Sequence, residues 1–128
     1  MVKVLIVDDS ILVRERLAGL LSELGNVEWV DQAGNGGEAL DAIQRSRPDV
    51  VILDIRMPKG NGMQVLEAIK RGPGSPVVIV LTAFPFPQYR KKCLEAGADF
   101  FFDKSSEFGR IAEVLEQLRD QTNNHAHP

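Results

Sequence analysis

At 128 residues the chain is one domain's worth of sequence, long enough to bury a core without staples, and its 44% hydrophobic and 26% charged residues are ordinary for a globular protein. A net charge of −3, from 15 basic and 18 acidic residues, argues against a dedicated nucleic-acid binder, which shows a basic excess. Cys93 stands alone and so forms no internal disulfide; no apolar run approaches the ~20 residues of a membrane span, and the strand-like start Met1-Val2-Lys3-Val4 leaves no room for a secretion signal, so the expectation is a soluble, cytoplasmic protein.

The apolar run Val4-Leu5-Ile6-Val7 reads as a buried strand and ends on the acid pair Asp8-Asp9. Val13, Leu17, Leu20, Leu21 and Leu24 then share one helical face, with Gly25-Asn26 as its stop and Gly25 as a C′ glycine. Val27 to Ala33 reads as a second strand, marked as an edge by Glu28, Asp31 and Gln32, with Trp29 packed on it. Gly34-Asn35-Gly36-Gly37 turns the chain into a short helix around Ala39, Leu40 and Ile43, and Pro48 breaks it before Val50-Val51-Ile52-Leu53. That third strand ends on Asp54.

Asn61 with Gln64 suggests a capping box opening a helix with Val65, Leu66 and Ile69, closed by Gly72-Pro73-Gly74-Ser75-Pro76. The run Val77 to Leu81 ends on Thr82. A helix is expected near Tyr89 to Ala96, with Cys93 as a small apolar member, and Phe100-Phe101-Phe102-Asp103 leads to Lys104. Phe108, Ile111, Leu115 and Leu118 mark a last helix. Asp120 to Pro128 has no apolar period and is expected to be a disordered tail behind a domain of residues 1–119; its His125 and His127 are read as solvated.

Strands alternating with helices predict an α/β fold: one doubly wound, five-stranded parallel sheet of order 2-1-3-4-5, with helices on both faces. Such sheets bind ligands at their carboxyl edge. Asp8, Asp9, Asp54, Thr82 and Lys104 all follow strands, so they should meet there. Singly each has a bland explanation: a turn, a strand end, a solvated lysine. Jointly, three carboxylates, a hydroxyl and an ammonium suit a divalent cation and a phosphoryl group. Two carboxylates ~4 Å apart repel by about 4 kcal/mol at an effective dielectric near 20, so a fold with no use for the cluster would gain by losing it.

With these residues stand Asp54-Ile55-Arg56-Met57-Pro58, Gly62, Thr82-Ala83 and Glu95-Ala96-Gly97-Ala98. Over residues 2–119 the set resembles the receiver domain of two-component response regulators, the flavodoxin-like CheY superfamily. The resemblance implies that Asp54 accepts a phosphoryl group from a sensor histidine kinase or phosphotransfer protein. Asp9 and Asp54 would ligate Mg²⁺ directly, Asp8 through a water, and the backbone carbonyl of Arg56 would add an oxygen. Lys104, Thr82 and the backbone N–H of Ala83 would hold phosphoryl oxygens. Thr82 and Phe101 would form a switch that works by packing alone, since Phe101 has no hydroxyl. Such a chain catalyses its own aspartyl phosphorylation and dephosphorylation without independent turnover. It signals to a downstream protein through the fifth strand and its flanking helices, and allows a homodimer on phosphorylation. The family's proline after the lysine is Ser105 here.

The segment Phe84-Pro85-Phe86-Pro87 is apolar and stiff, and reads either as a partner patch with Tyr89 and Phe101 or as core filler. Phe84 and Arg56 together could screen the acyl phosphate from water. The tail is too short for an effector domain, which points to a stand-alone receiver. The alternatives are a receiver fragment of a longer regulator with a DNA-binding or enzymatic output, a degenerate receiver that only binds, and a small aspartyl-nucleophile phosphatase. The last usually carries Asp-x-Asp rather than an adjacent pair.

Overall fold

The computed structural model describes residues 1–57, 62–72 and 74–126, with side chains for all of these except 30 and 119–126. Pro58, Pro73 and the Asn61 half of the expected capping box lie outside the described residues. Five strands, β1 (Val2–Val7), β2 (Val27–Ala33), β3 (Val50–Leu53), β4 (Val77–Thr82) and β5 (Phe100–Asp103), alternate with α1 (Ile11–Ser22), α2 (Gly36–Ser46), α3 (Gly62–Arg71), α4 (Pro87–Glu95) and α5 (Arg110–Ala126). The strands pair in parallel in the order β2-β1-β3-β4-β5, as the alternation predicts. Among the described residues no helix is long and apolar enough to cross a membrane.

Side chains alternate across the sheet and divide the core into two layers. Leu5, Val7, Leu53, Val80 and Phe101 pack with Ala39, Leu66 and Cys93 of α2, α3 and α4. Ile6, Ile52, Leu81 and Phe102 pack with Leu17 and Leu21 of α1 and with Ile111 and Leu115 of α5. Phe101 therefore faces away from Phe100 and Phe102, as strand period requires. The Cys93 thiol is sealed in the first layer, where burial pushes its pKa up to about 11.

Local capping sets the helix ends. Ser10 accepts the Val13 N–H at 3.2 Å and opens α1 directly after the acid pair. The helix stops at Ser22 because the Glu23 N–H folds back to the Leu20 and Leu21 carbonyls. Gly25 thus lies beyond the cap and has no positive φ, so the C′ role expected of it is not realised. In α2 the caps are reciprocal: Asn35 accepts the Glu38 N–H at 2.9 Å, and the Glu38 carboxylate accepts the Gly34 N–H at 2.9 Å. Arg47 ends α2 at φ 47°, left-handed, immediately before Pro48, whose ring disfavours a right-handed helical predecessor.

Three further expectations differ from the structure. Leu40 is exposed, because α2 turns its small residues Ala39 and Ala42 to the sheet. Trp29 stands half out of the edge strand and donates its Nε1–H to the Asp31 carbonyl at 2.8 Å, where the β1–β2 register skips one residue between Trp29 and Asp31. The backbone of α5 stays helical to Ala126, through most of the stretch expected to be a disordered tail. No glycine or proline interrupts residues 110–126, so no backbone breaker ends the helix within that stretch.

Candidate functional site

Thr82 is the last residue of β4, and Asp8, Asp54 and Lys104 each continue a strand ladder by one backbone bond at the carboxyl edge. The Asp8 N–H donates to the Ala33 carbonyl at 3.0 Å, Asp54 N–H to Val7 at 2.9 Å, and Lys104 N–H to Thr82 at 2.8 Å. The sheet itself therefore sets where these side chains emerge.

One carboxylate oxygen from each of Asp8, Asp9 and Asp54 falls within a mutual 4.8 Å. Asp8 and Asp54 are buried, 2% and 4% exposed, while Asp9 is open to solvent. Lys104 Nζ donates to Asp8 Oδ2 at 2.8 Å and to Asp54 Oδ2 at 3.2 Å. Ser10 N–H occupies the other Asp8 oxygen at 2.9 Å, and Arg56 N–H the other Asp54 oxygen at 3.1 Å. Burial pushes the Asp54 pKa up to about 6, against the pull of Lys104 and with a further push from Asp8. Burial also opposes the Lys104 charge, but its bonds to both carboxylates hold its pKa above the ordinary value. The two shifts have different causes: burial dominates at Asp54, whereas at Lys104 the bonds to two carboxylates outweigh burial.

Donors that are all oxygen, crowded and under-neutralised fit a hard divalent cation such as Mg²⁺, with Asp8, Asp9 and Asp54 as its carboxylates. Thr82 is buried at the end of β4, between β3 and β5, and its Oγ1 accepts the Phe84 N–H at 3.0 Å; Ala83 follows it, exposed at the rim. Phe101 is 4% exposed, so its ring already lies inside the core, with the Arg90 guanidinium 5.7 Å from its centroid. It therefore does not belong to a surface patch.

Phe84 and Phe86 are exposed, which excludes their reading as core filler. They form a tilted ladder with half-buried Tyr89, centroids 6.3 and 5.9 Å apart, and the Arg56 guanidinium lies 4.3 Å over the Phe84 ring. Ser105 supplies what a proline could not. Its N–H and hydroxyl donate to Asp103 Oδ1 at 2.9 and 2.8 Å, and Ser106 donates to Oδ2 at 3.0 Å, which fixes the turn after Lys104.

Two contributors escaped the sequence reading. Arg14 donates through Nη1 to the backbone carbonyl of Asp8 and through Nε to Gln32 at 3.2 Å, tying α1 to two strand ends. Ser10 both caps α1 and orients Asp8. A serine three residues before Val13 was the available signal for the cap. For Arg14 there was none, since a cation on a helix is usually solvated.

Comparison with known proteins gives a consistent picture. The response regulator receiver domain family matches residues 4–116. A protein-glutamate methylesterase/protein-glutamine glutaminase of Desulfotalea psychrophila is 41% identical over 107 residues, 82% of this chain and 29% of that protein. The transcriptional regulatory protein BtsR of Salmonella typhi is 37% identical over 121 residues, 94% of this chain and 49% of that protein. The chain thus spans about half the length, or less, of these curated relatives. Among solved structures, the CheX-CheY-BeF3-Mg+2 complex of Borrelia burgdorferi matches with a TM-score of 0.78 and 32% identity, covering 89% of each chain.

Proposed function

The chain belongs to the response regulator receiver domains, and from that membership we propose that Asp54 accepts a phosphoryl group from a sensor histidine kinase or phosphotransfer protein. The observation that carries this reading is the shared ammonium: Lys104 bridges Asp8 and Asp54 beside a third carboxylate, in a pocket short of positive charge. Asp54 Oδ attacks phosphorus in line as the P–N bond of the phosphoimidazole breaks. Lys104, the Thr82 hydroxyl and the Ala83 N–H receive the phosphoryl oxygens. Asp9 and Asp54, with the Arg56 carbonyl and Asp8 through a water, would hold a Mg²⁺ ion, which would supply charge neutralisation. The protein's share is positioning and electrostatics.

The added phosphoryl group brings roughly −1.5 to −2 charge and three acceptors. Thr82 is drawn toward it, giving up the Phe84 N–H, and the space it leaves locks Phe101 inward by packing. The readout is a protein–protein contact on β5 and its flanking helices, with a phosphorylation-dependent homodimer as one form of it. The lengths of the curated relatives favour a second arrangement, in which the chain is the receiver part of a longer regulator with a DNA-binding or enzymatic output.

Intact mass after incubation with Mg²⁺ and acetyl phosphate, beside an Asp54→Ala control, tests the reading. One phosphoryl adduct in the wild type alone, abolished by EDTA, is expected. Absence of both this adduct and beryllofluoride binding would leave a degenerate binding module. Sustained turnover of an aryl phosphate would mark a phosphatase.

A further inference from the structure

Beside the acidic pocket, between α3 and α4, Ile55, Arg56, Met63, Tyr89 and Lys92 line a cavity of about 280 Å³. That is room for one large side chain, just below the ~300–1,000 Å³ range of small-molecule sites. Its floor is apolar and aromatic, and its rim carries two cations. Phe84 and Phe86, 39% and 48% exposed, continue the rim outward. Pro85 and Pro87 fix the backbone beside both rings, so little freedom is lost when something covers them.

Charge runs the same way. Of the run Arg90-Lys91-Lys92 on α4, Lys92 lines the cavity together with Arg56, while Arg90 turns to β5 and donates to the Phe101 carbonyl. Among the described residues, Lys91, Lys92 and Arg56 form no salt bridge. No acid lines the cavity itself; the neighbouring acids are Glu95 at the far end of α4, Glu67 one turn along α3 from Met63, and the Asp9 and Asp54 carboxylates of the adjoining pocket, where Lys104 pairs with Asp54. Both charged residues in the cavity lining are therefore cations, set beside an exposed aromatic strip. A contiguous apolar patch with a charged rim marks an interaction surface.

We propose that this groove docks an acidic segment of a partner protein, seating one large apolar side chain in the cavity with Asp or Glu on either side. The anchor packs on Tyr89 and Met63, and its flanking carboxylates meet Arg56 and Lys92. The groove lies on the α3 side of α4, away from β5. It requires neither magnesium nor a phosphoryl group, so it stands apart from the phosphotransfer reading.

The test is an amide NMR titration of the intact chain with a short Asp/Glu-rich peptide carrying a Leu-x-x-Phe step, beside its scrambled isomer. Saturable shifts centred on Ile55, Met63, Tyr89 and Lys92 are expected with the ordered peptide. Lys92→Glu should weaken binding at least about tenfold. Phe86→Ser should weaken it without changing charge, and Lys91→Glu, outside the lining, should have much less effect. The proposal falls if no saturable shift develops, if shifts centre on another face, or if the scrambled peptide binds equally. It falls too if Lys91→Glu matches Lys92→Glu, or if a single-stranded oligonucleotide or anionic lipid vesicles occupy the same residues more tightly.

Discussion

The Arg56 guanidinium lies 4.3 Å over the Phe84 ring, joining the residue two past Asp54 to the residue two past Thr82. Both are exposed at the mouth of the pocket, and each holds the other in place. In the proposed reaction this pair would screen an acyl phosphate on Asp54 from water on that side of the pocket. Phe84→Ala and Arg56→Ala should each shorten the phosphate half-life by about three- to tenfold, up to about 1.4 kcal/mol of barrier. The double variant should be little worse than either single one, because the pair acts as a unit. Half-lives followed by intact mass decide this; unchanged values in both variants end the screening role.

Asp54 makes stability depend on pH. Its folded pKa of about 6 lies above the ordinary 3.8, so the native state binds the proton more tightly than the unfolded chain. The associated stability is fully present below about pH 4 and is lost as pH rises through about 6, a change of roughly 3 kcal/mol. Metal-free wild type should therefore lose stability relative to Asp54→Asn across this window, in urea titrations at stepped pH. Parallel curves for the two proteins would show that Asp54 carries no such strain.

Above that window, Asp54→Asn should melt several degrees higher than wild type without magnesium, having lost one crowded charge. Magnesium should then reverse the order. At a free concentration a hundred times its dissociation constant, a ligand of the folded state adds about 2.7 kcal/mol. Wild type should gain this, and Asp9→Asn and Asp54→Asn much less, in melting curves with and without the ion. Equal gains in wild type and Asp54→Asn would remove Asp54 from the metal site.

Gly62 is the first residue of α3, and its N–H donates to the Ile55 carbonyl at 3.0 Å. A Cβ there would come within 2.5 Å of the Asp54 carbonyl oxygen and 2.6 Å of Ile55 Cα. Both are backbone atoms and cannot swing aside. Gly62→Ala should cost about 2–3 kcal/mol and displace Asp54, lowering phosphoryl acceptance as well as stability. Gly19→Ala on α1, where nothing lies within 4 Å, should be neutral or stabilising by up to about 1 kcal/mol. Urea titration of the two variants, with acetyl phosphate labelling, separates these outcomes.

The sheet was legible because its apolar runs stop where its chemistry begins: Val7 before Asp8, Leu53 before Asp54, Leu81 before Thr82. The helices were legible in place but not at their ends. The α1 stop depends on Glu23 folding back to two carbonyls, a geometry that an available Gly25 disguised. The exposure of Phe84 and Phe86 was undecidable from sequence, since an aromatic-proline run serves equally under a helix or outside it. Arg14 was hidden for a different reason. Its role lies in a contact to a backbone carbonyl, and backbone acceptors leave no letter in the sequence.

Cys93, sealed beneath α4 and held protonated by its surroundings, has a use beyond packing. Only a thiolate in contact with solvent alkylates readily, so a reagent must wait until α4 lifts from the sheet. The trapping rate of this one sulfur therefore counts the openings of a single helix at natural abundance, with no label introduced. Any event at the opposite edge that tightens α4 onto β5 would register as a slower count.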